Sequence, residues 1–463
     1  MKHPALLFWF LMACVVPRLH AAEPVPNSKP NFVLILCDDL GYGDLACFNN
    51  PIIKTPNLDR LAAEGMRLTD CYASFPVCSP SRAGFMTGRN ANRLGIREWI
   101  SPGTGIYMRP REITIAQMLK KAGYRTGHFG KWHLNSVVDG SETTPGDAGF
   151  DDWIYTQNNA APSHENPTNF VRMGKRMGAL NGFSTTILTD EAIRFVSENK
   201  SGPFFLNLWF HAPHEPVATP EDFQNIYSQV GDQTKRIYYG SVSLIDDNVG
   251  RLMKKLDELK LRENTFVLFT SDNGPETLNR YKGAERSHGS PGPLRGMKLH
   301  ITEAGYRVPG IIRWPGHTHP NEICSEPVNN TDLLPTICEI TGVPVPSDRP
   351  IDGTSILPIF TGKEIQRKTP LYWQYDYAIS RPWTVALRER NWKLLATPGL
   401  DKFALYDLSA DVGEAKDLAD EFPDRVRQMA EKMKQLNFEI KSEGEKSGNP
   451  MPRQGGRKQE KFN

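Results

Sequence analysis

No charge of one sign dominates this sequence: 55 Lys and Arg stand against 53 Asp and Glu. That balance excludes the basic footprint of a nucleic-acid binder and the polybasic patch of a membrane-surface protein, so any selectivity for anions must be local. Long apolar runs are also missing. Beyond Leu6 to Val16, no segment approaches the ~20 apolar residues of a membrane-spanning helix, and no membrane span is expected. No internal repeat is visible. Cysteine is scarce, with 7 in 463 residues. Setting aside Cys14 in the N-terminal run and Cys78 for chemistry leaves Cys37, Cys47, Cys71, Cys324 and Cys338, an odd number, so at least one stays free. Cys324 with Cys338 is the disulfide to test first.

What is present begins with a leader. Lys2 and His3, the apolar run and then the small Ala21 and Ala22 read as a secretory signal peptide, which places the mature chain in a secreted or periplasmic setting. At 463 residues the chain exceeds the size of a single core, so one large domain and one smaller one are expected.

Short apolar runs alternate with helical patterns, the arrangement expected of a mostly parallel sheet with crossover helices. The strands are expected at Phe32 to Cys37, Tyr124 to Gly130, Phe204 to Phe210, Phe266 to Ser271 and Val308 to Arg313. Helices are expected at Leu58 to Glu64, Ile115 to Lys121, Thr186 to Glu198 and Ile237 to Leu259, with Thr114 capping the second. From about Leu371 short aromatic strands (Leu371 to Tyr375, Thr384 to Arg388, Trp392 to Leu395) and a helix near Pro423 to Asn437 suggest a small α+β subdomain. The end from Lys441 has little to bury and reads as disordered.

The first strand ends in Asp38-Asp39 and a later one in Asp272-Asn273. Ligands collect beyond the carboxyl ends of strands in open α/β sheets, so the two pairs can converge. They offer only hard oxygen donors, which suits calcium first and magnesium second, and does not favour zinc. Taken singly, each pair is also an ordinary turn. Two other strands end in Gly130-Lys131-Trp132-His133 and in His211-Ala212-Pro213-His214, which adds a lysine and several histidines to the same rim. Cys78-Ser79-Pro80-Ser81-Arg82 opens a helix-like stretch, where backbone N–H groups favour negative charge. Read alone, Cys78 is a buried thiol or a thiol nucleophile.

Cys78-x-Pro80-x-Arg82 followed by Thr87-Gly88-Arg89 resembles the signature of the type I, formylglycine-dependent sulfatases. The resemblance extends to the run from Asp38 to Asp44, to Gly130-Lys131-Trp132-His133-Leu134, to Ser271-Asp272-Asn273-Gly274, to Leu294-Arg295-Gly296-Met297-Lys298, to Arg307-Val308-Pro309 and to Leu405-Tyr406-Asp407-Leu408. It departs at Leu299-His300-Ile301 and at Ala304-Gly305. The resemblance implies an alkaline-phosphatase-like α/β fold, a large mixed, mostly parallel sheet flanked by helices, with a smaller C-terminal α+β subdomain. The implied division is a signal peptide at 1–22, a catalytic domain at 23–365, the subdomain at 366–440 and a disordered tail at 441–463.

It also implies that a formylglycine-generating or equivalent maturation enzyme oxidises Cys78 to formylglycine, whose hydrate attacks a sulfate ester beside calcium held by Asp38, Asp39, Asp272 and Asn273. Arg82 and His133 would hold the hydrate, Lys131 and Lys298 the sulfate oxygens, and His214, aided by Lys298, would protonate the leaving alcohol. The segment from Gly149 to Asn181, with Trp153, Tyr155, Asn158, His164, Arg172 and Lys175, and a second from Tyr281 to His288 suit a sugar, so a sulfated carbohydrate is the expected substrate. His211 is a further candidate contact. The alternatives are a phosphoester or phosphonate monoester hydrolase of the same superfamily, and a non-catalytic glycan-binding relative.

Overall fold

The computed structural model describes residues 29–277 and 284–451. The expected leader, the last residues of the expected tail and Tyr281 to Gly283 lie outside the described residues.

The strands in chain order are β1 (Asn31–Asp38), β2 (Met66–Tyr72), β3 (Arg125–Lys131), β4 (Asp152–Thr156), β5 (Val171–Arg172), β6 (Lys175–Arg176), β7 (Phe204–Pro213), β8 (Thr265–Ser271), β9 (Arg307–Arg313), β10 (Glu322–Cys324) and β11 (Val328–Asn329). They form one sheet in the order β10-β2-β9-β8-β1-β7-β3-β4-β5-β6, with β11 beside β2. Its centre, β8-β1-β7-β3-β4, is wholly parallel. Strand β9 runs antiparallel to both β8 and β2, which makes the sheet mixed.

The side-chain period of two explains how the central strands serve both faces. In β1, Phe32, Leu34 and Leu36 enter one apolar cluster, while Val33, Ile35 and Cys37 enter the other. Helices α2 (Cys78–Thr87), α3 (Ile115–Lys121) and α7 (Leu333–Thr341) cover the first face. Helices α1 (Pro56–Ala63), α4 (Ser184–Glu198) and α6 (Gln233–Glu258) cover the second, and the short α5 (Glu221–Asn225) packs on α6. Thr114 caps α3 in a full capping box with Gln117.

A separate antiparallel sheet, β12 (Leu371–Gln374), β13 (Val385–Glu389), β14 (Trp392–Ala396) and β15 (Phe403–Asp407), packs on α8 (Pro423–Gly444) through Leu387, Leu394, Met429 and Met433.

Two expectations need correction. Cys324 and Cys338 are both free, and the Cys338 thiol instead meets the Met118 sulfur at 3.7 Å. The chain also stays ordered past Lys441. Helix α8 runs to Gly444, and Asn449 donates its amide to the carbonyls of Leu94 and Tyr107 at 2.8 and 2.9 Å. That stretch buries little apolar surface, as its composition says, but it supplies the donors that those carbonyls need.

Candidate active site

The carboxyl ends of β1, β3, β7 and β8 and the first turn of α2 meet at one point. Asp38 closes β1, and Asp39 follows in the left-handed region at φ 65°, which turns the chain back toward β8. Cys78 is the first residue of α2 and is buried. Its thiol lies with oxygens of Asp38 and Asp39 and a ring nitrogen of His214 in a cluster whose atoms are all within 4.8 Å of one another.

Arg82, one turn along α2, is fully buried. Its Nε reaches Asp272 Oδ2 at 2.9 Å and one terminal nitrogen reaches the same oxygen at 2.7 Å, while the other donates to the Lys131 carbonyl at 3.0 Å. The guanidinium also stacks over Trp209, 5.1 Å from the ring centre. Lys131 donates to Asp38 Oδ2 at 2.6 Å, and Lys298 donates to Asp39 Oδ2 at 2.7 Å. The two lysines are thus set on the two adjacent carboxylates.

Burial pushes the Asp38 carboxyl up, but Lys131, His214 and Arg82 outweigh it and hold the group well below the usual range. Asp39 is lowered in the same sense by Lys298 and His214. Asp272 is pushed up to about 7, because burial and the nearby Asp38 charge exceed what Arg82 returns.

A divalent cation fits this donor set. Asp38 Oδ1 and Asn273 Oδ1 are buried with no hydrogen-bond partner among the described residues, and both are hard oxygens. Asn273 donates its amide to Asp39 Oδ1 at 2.7 Å, which turns its own oxygen away from that carboxylate. Asp38, Asp39, Asp272 and Asn273 are the residues that could hold calcium or magnesium. Asp272 points its oxygens at Arg82 and at the Asp39 amide at 3.3 Å, so it would share itself between protein and ion.

Both histidines can be assigned tautomers. His133 Nε2 lies 3.2 Å from the Ile100 carbonyl and must carry the proton there, which leaves Nδ1 a buried lone pair without a partner. Burial, with Lys131 and Arg82 nearby, keeps this ring well below the usual histidine range and neutral. His214 Nδ1 sits 2.6 Å from the Glu215 carbonyl and is likewise the donor, so Nε2, 3.5 Å from Asp39 Oδ2, is the atom free to exchange a proton.

All ten residues singled out from the sequence therefore converge. Asn159, which sequence reasoning missed, accepts from Lys131 at 3.1 Å and donates to the Glu215 carbonyl at 2.8 Å. Only its place in the irregular segment after Tyr155 hinted at a role. His211 is fully buried and reaches Thr156 Oγ1 rather than the opening of the site. Of the carbohydrate candidates, Trp153 and Tyr155 are buried core residues, and Arg172 is paired with Glu191 at 2.8 Å.

The chain is similar to known sulfatases over most of its length. The sulfatase family profile matches residues 30–343, and a profile described as N-sulphoglucosamine sulphohydrolase, C-terminal, matches residues 297–442. The steryl-sulfatase of Homo sapiens is 31% identical over 442 residues, covering 78% of this chain and 73% of that protein. The N-acetylgalactosamine-6-sulfatase of Mus musculus is 34% identical over 392 residues, covering 79% of this chain and 72% of that protein. Among solved structures, Ps i-CgsB in complex with k-i-k-neocarrahexaose superposes with a TM-score of 0.80 at 27% identity, covering 92% of this chain and 94% of that one. The phosphonate monoester hydrolase of Agrobacterium radiobacter, at 20% identity and a TM-score of 0.63, covers 89% of this chain and 96% of its own and shares the fold alone.

Proposed function

Because the chain belongs to the sulfatase family, whose members are sulfuric ester hydrolases, we propose that it hydrolyses the sulfate ester of a sulfated carbohydrate, with Cys78 oxidised to formylglycine as nucleophile beside a calcium ion. The observation that carries the reading is the setting of Cys78: at the first turn of α2, its Sγ lies with oxygens of Asp38 and Asp39 and a ring nitrogen of His214 in one cluster whose atoms are all within 4.8 Å of one another, so a nucleophile at this position stands beside both the cation donors and a candidate acid.

Calcium, in preference to magnesium, would polarise the nucleophile and one sulfate oxygen when held by Asp38, Asp39, Asp272 and Asn273. The hydrate of formylglycine would offer one hydroxyl to attack sulfur and a second whose deprotonation restores the aldehyde and releases sulfate by carbon–oxygen cleavage. Arg82 fixes the carboxylate side of the site through Asp272, and its burial keeps the guanidinium from swinging out. His133, neutral, presents the Nδ1 lone pair as an acceptor for a hydroxyl proton. Lys131 and Lys298 bring positive charge to the oxygens on which negative charge grows. Burial and the nearby Lys298 hold the His214 ring below the usual histidine range, so any proton it takes up at Nε2 would be readily given to the leaving alcohol, while Nδ1 keeps the ring turned.

Ps i-CgsB binds k-i-k-neocarrahexaose, which supports a sulfated carbohydrate as the substrate class here. No helix among the described residues is long and apolar enough to cross a membrane. We place residues 1–22 as an export signal, so that the mature chain meets its substrate outside the cytoplasm after a maturation enzyme has oxidised Cys78.

The test is the mass of the Cys78 peptide from the native source, together with turnover of an aryl sulfate and its aryl phosphate analogue. An aldehyde in place of the thiol, preference for the sulfate, and loss of turnover in Cys78→Ala are expected. An unmodified thiol throughout an active sample overturns the mechanism, and a preference for phosphate overturns the reaction class.

A further inference from the structure

The turn that follows β4 carries an amide between two groups of the reaction. We propose that Asn159 is a positioning residue that sets Lys131 and His214 in one geometry, delivered by a turn that His211 and Thr156 lock. This rests on the sulfatase reading above.

The orientation of the Asn159 amide is forced. An ammonium group has only donors, so the atom that Lys131 meets at 3.1 Å must be the amide oxygen. The amide nitrogen then faces the Glu215 carbonyl at 2.8 Å, the same oxygen that His214 Nδ1 reaches at 2.6 Å. One carbonyl with two lone pairs accepts from both. The 3.0 Å approach of the Asn159 nitrogen to Nδ1 is therefore a contact between neighbouring donors, and Asn159 acts on His214 through their shared acceptor. Turning the amide over would set oxygen against oxygen at Glu215 and nitrogen against nitrogen at Lys131.

The turn that delivers this amide is fixed by the same kind of counting. Thr156, the last residue of β4, has one hydroxyl proton, and it goes to the Asn158 carbonyl at 2.5 Å. The His211 Nε2, 2.7 Å from that hydroxyl, must therefore be the donor. Phe170 meets the His211 ring edge-on at 5.5 Å and His164 lies at 5.9 Å, so the ring is boxed in as well as bonded. On the far side, Asn169 donates to the Asn159 carbonyl at 2.8 Å and accepts from Ala161 at 2.9 Å. Strand ends β3, β4 and β7 are thus joined through a single side-chain amide, and two of them carry groups of the reaction. Neither Asn159 nor His211 needs to touch substrate for this.

The experiment compares Asn159→Ala, His214→Ala and the double variant on aryl sulfates whose leaving phenols span a range of basicity, with thermal melts to show that each variant folds. A general acid matters most for poor leaving groups, where it supplies roughly 100- to 10,000-fold. The expected result is a kcat loss in Asn159→Ala that grows from about threefold on 4-nitrophenyl sulfate to about 30-fold or more on phenyl sulfate. In the His214→Ala background the gradient should vanish, because residues acting through one group are not additive, and what remains should be the loss through Lys131, equal across the series. His211→Phe, which keeps the ring but loses the bond to Thr156, should show the same gradient more weakly. A loss that is equal across the series when His214 is present, or a gradient that persists in full in the His214→Ala background, overturns the proposal. If His214→Ala is itself flat across the series, the general-acid role falls instead, and the cycle still decides whether Asn159 works through His214.

Discussion

Asp38, Asp39 and Asp272 crowd one point, and Lys131, Lys298 and Arg82 answer them almost one for one. A divalent ion held by these carboxylates would share them with two ammonium groups and a guanidinium rather than sit in a purely acidic hole. The atoms that would gain without losing a hydrogen bond are Asp38 Oδ1 and Asn273 Oδ1. Calcium at about 100 times its Kd should stabilise the chain by about 2.7 kcal/mol, seen as a rise in Tm, with a smaller rise from magnesium because its octahedral shell is harder to meet here. Asn273→Ala should lose most of the calcium increment. An increment unchanged in that variant, or one larger for magnesium, rules out this ligand set. The ten candidate residues were legible because each stands at the end of an apolar run or in a dense motif. Asn159 was not, since its meaning depends on Lys131 and His214, which arrive from two other strands, and no local pattern separates it from Asn158.

At the scale of elements, strand ends can aim Lys131 and Asn273 only if the backbone just before or after them packs tightly. Gly130 shows the constraint: its φ is 127°, and a Cβ there would stand 1.7 Å from the Trp209 carbonyl. Strands β3 and β7 are paired at that point, so neither can yield without breaking the ladder. Gly130→Ala should cost more than about 3 kcal/mol and displace Lys131, whereas Gly140→Ala, also at positive φ but with nothing within 4 Å, should cost only about 1 kcal/mol of backbone strain. Chemical denaturation of the two variants measures both numbers. Equal, small effects would mean that β3 and β7 are not held as described. The same packing explains which elements could be read from sequence. Central parallel strands are apolar on both faces and stand out, as Phe32 to Cys37 does. Strand β2 was missed because Arg67, Thr69 and Asp70 interrupt its apolar residues, and their partners lie far along the chain. Asp70, for instance, pairs with Arg307 and Arg388. In β4, only five residues long, the apolar stretch is too short to announce itself.

The whole molecule is held together by a buried charge network where the small sheet meets the large one. Lys393 of β14 donates to Glu303 and lies equally close to Glu414, 2.8 Å from each, with all three side chains fully buried. Arg307 of β9 adds a contact to Glu303 at 3.1 Å, and Arg388 of β13 joins Asp70 and the Tyr72 hydroxyl on β2. The family profiles overlap across residues 297–343, where Glu303 and Arg307 lie. Burial pushes the Glu303 carboxyl up, but Lys393, Arg307 and Arg388 bring it down to about 2, while burial leaves Glu414 raised. A carboxyl lowered on folding stabilises the fold above its unfolded pKa of ~4.3 and loses that contribution as pH falls toward about 2. Lys393→Met fills similar volume and strands the buried Glu414 carboxylate, while Glu303 keeps Arg307; the change should cost about 3–5 kcal/mol at pH 7. In that variant the fold favours a protonated Glu414, so it takes up a proton on folding and its stability should rise as pH falls from 7 toward 5. The gap in Tm between wild type and Lys393→Met should therefore narrow over that interval, with the variant's aryl sulfatase activity lost in parallel with its fold. A gap that stays constant from pH 7 to pH 5 would show that Glu414 does not depend on Lys393, and that apolar contact between the two sheets, led by Tyr306 stacked 4.3 Å from Trp373, holds the subdomain in place instead.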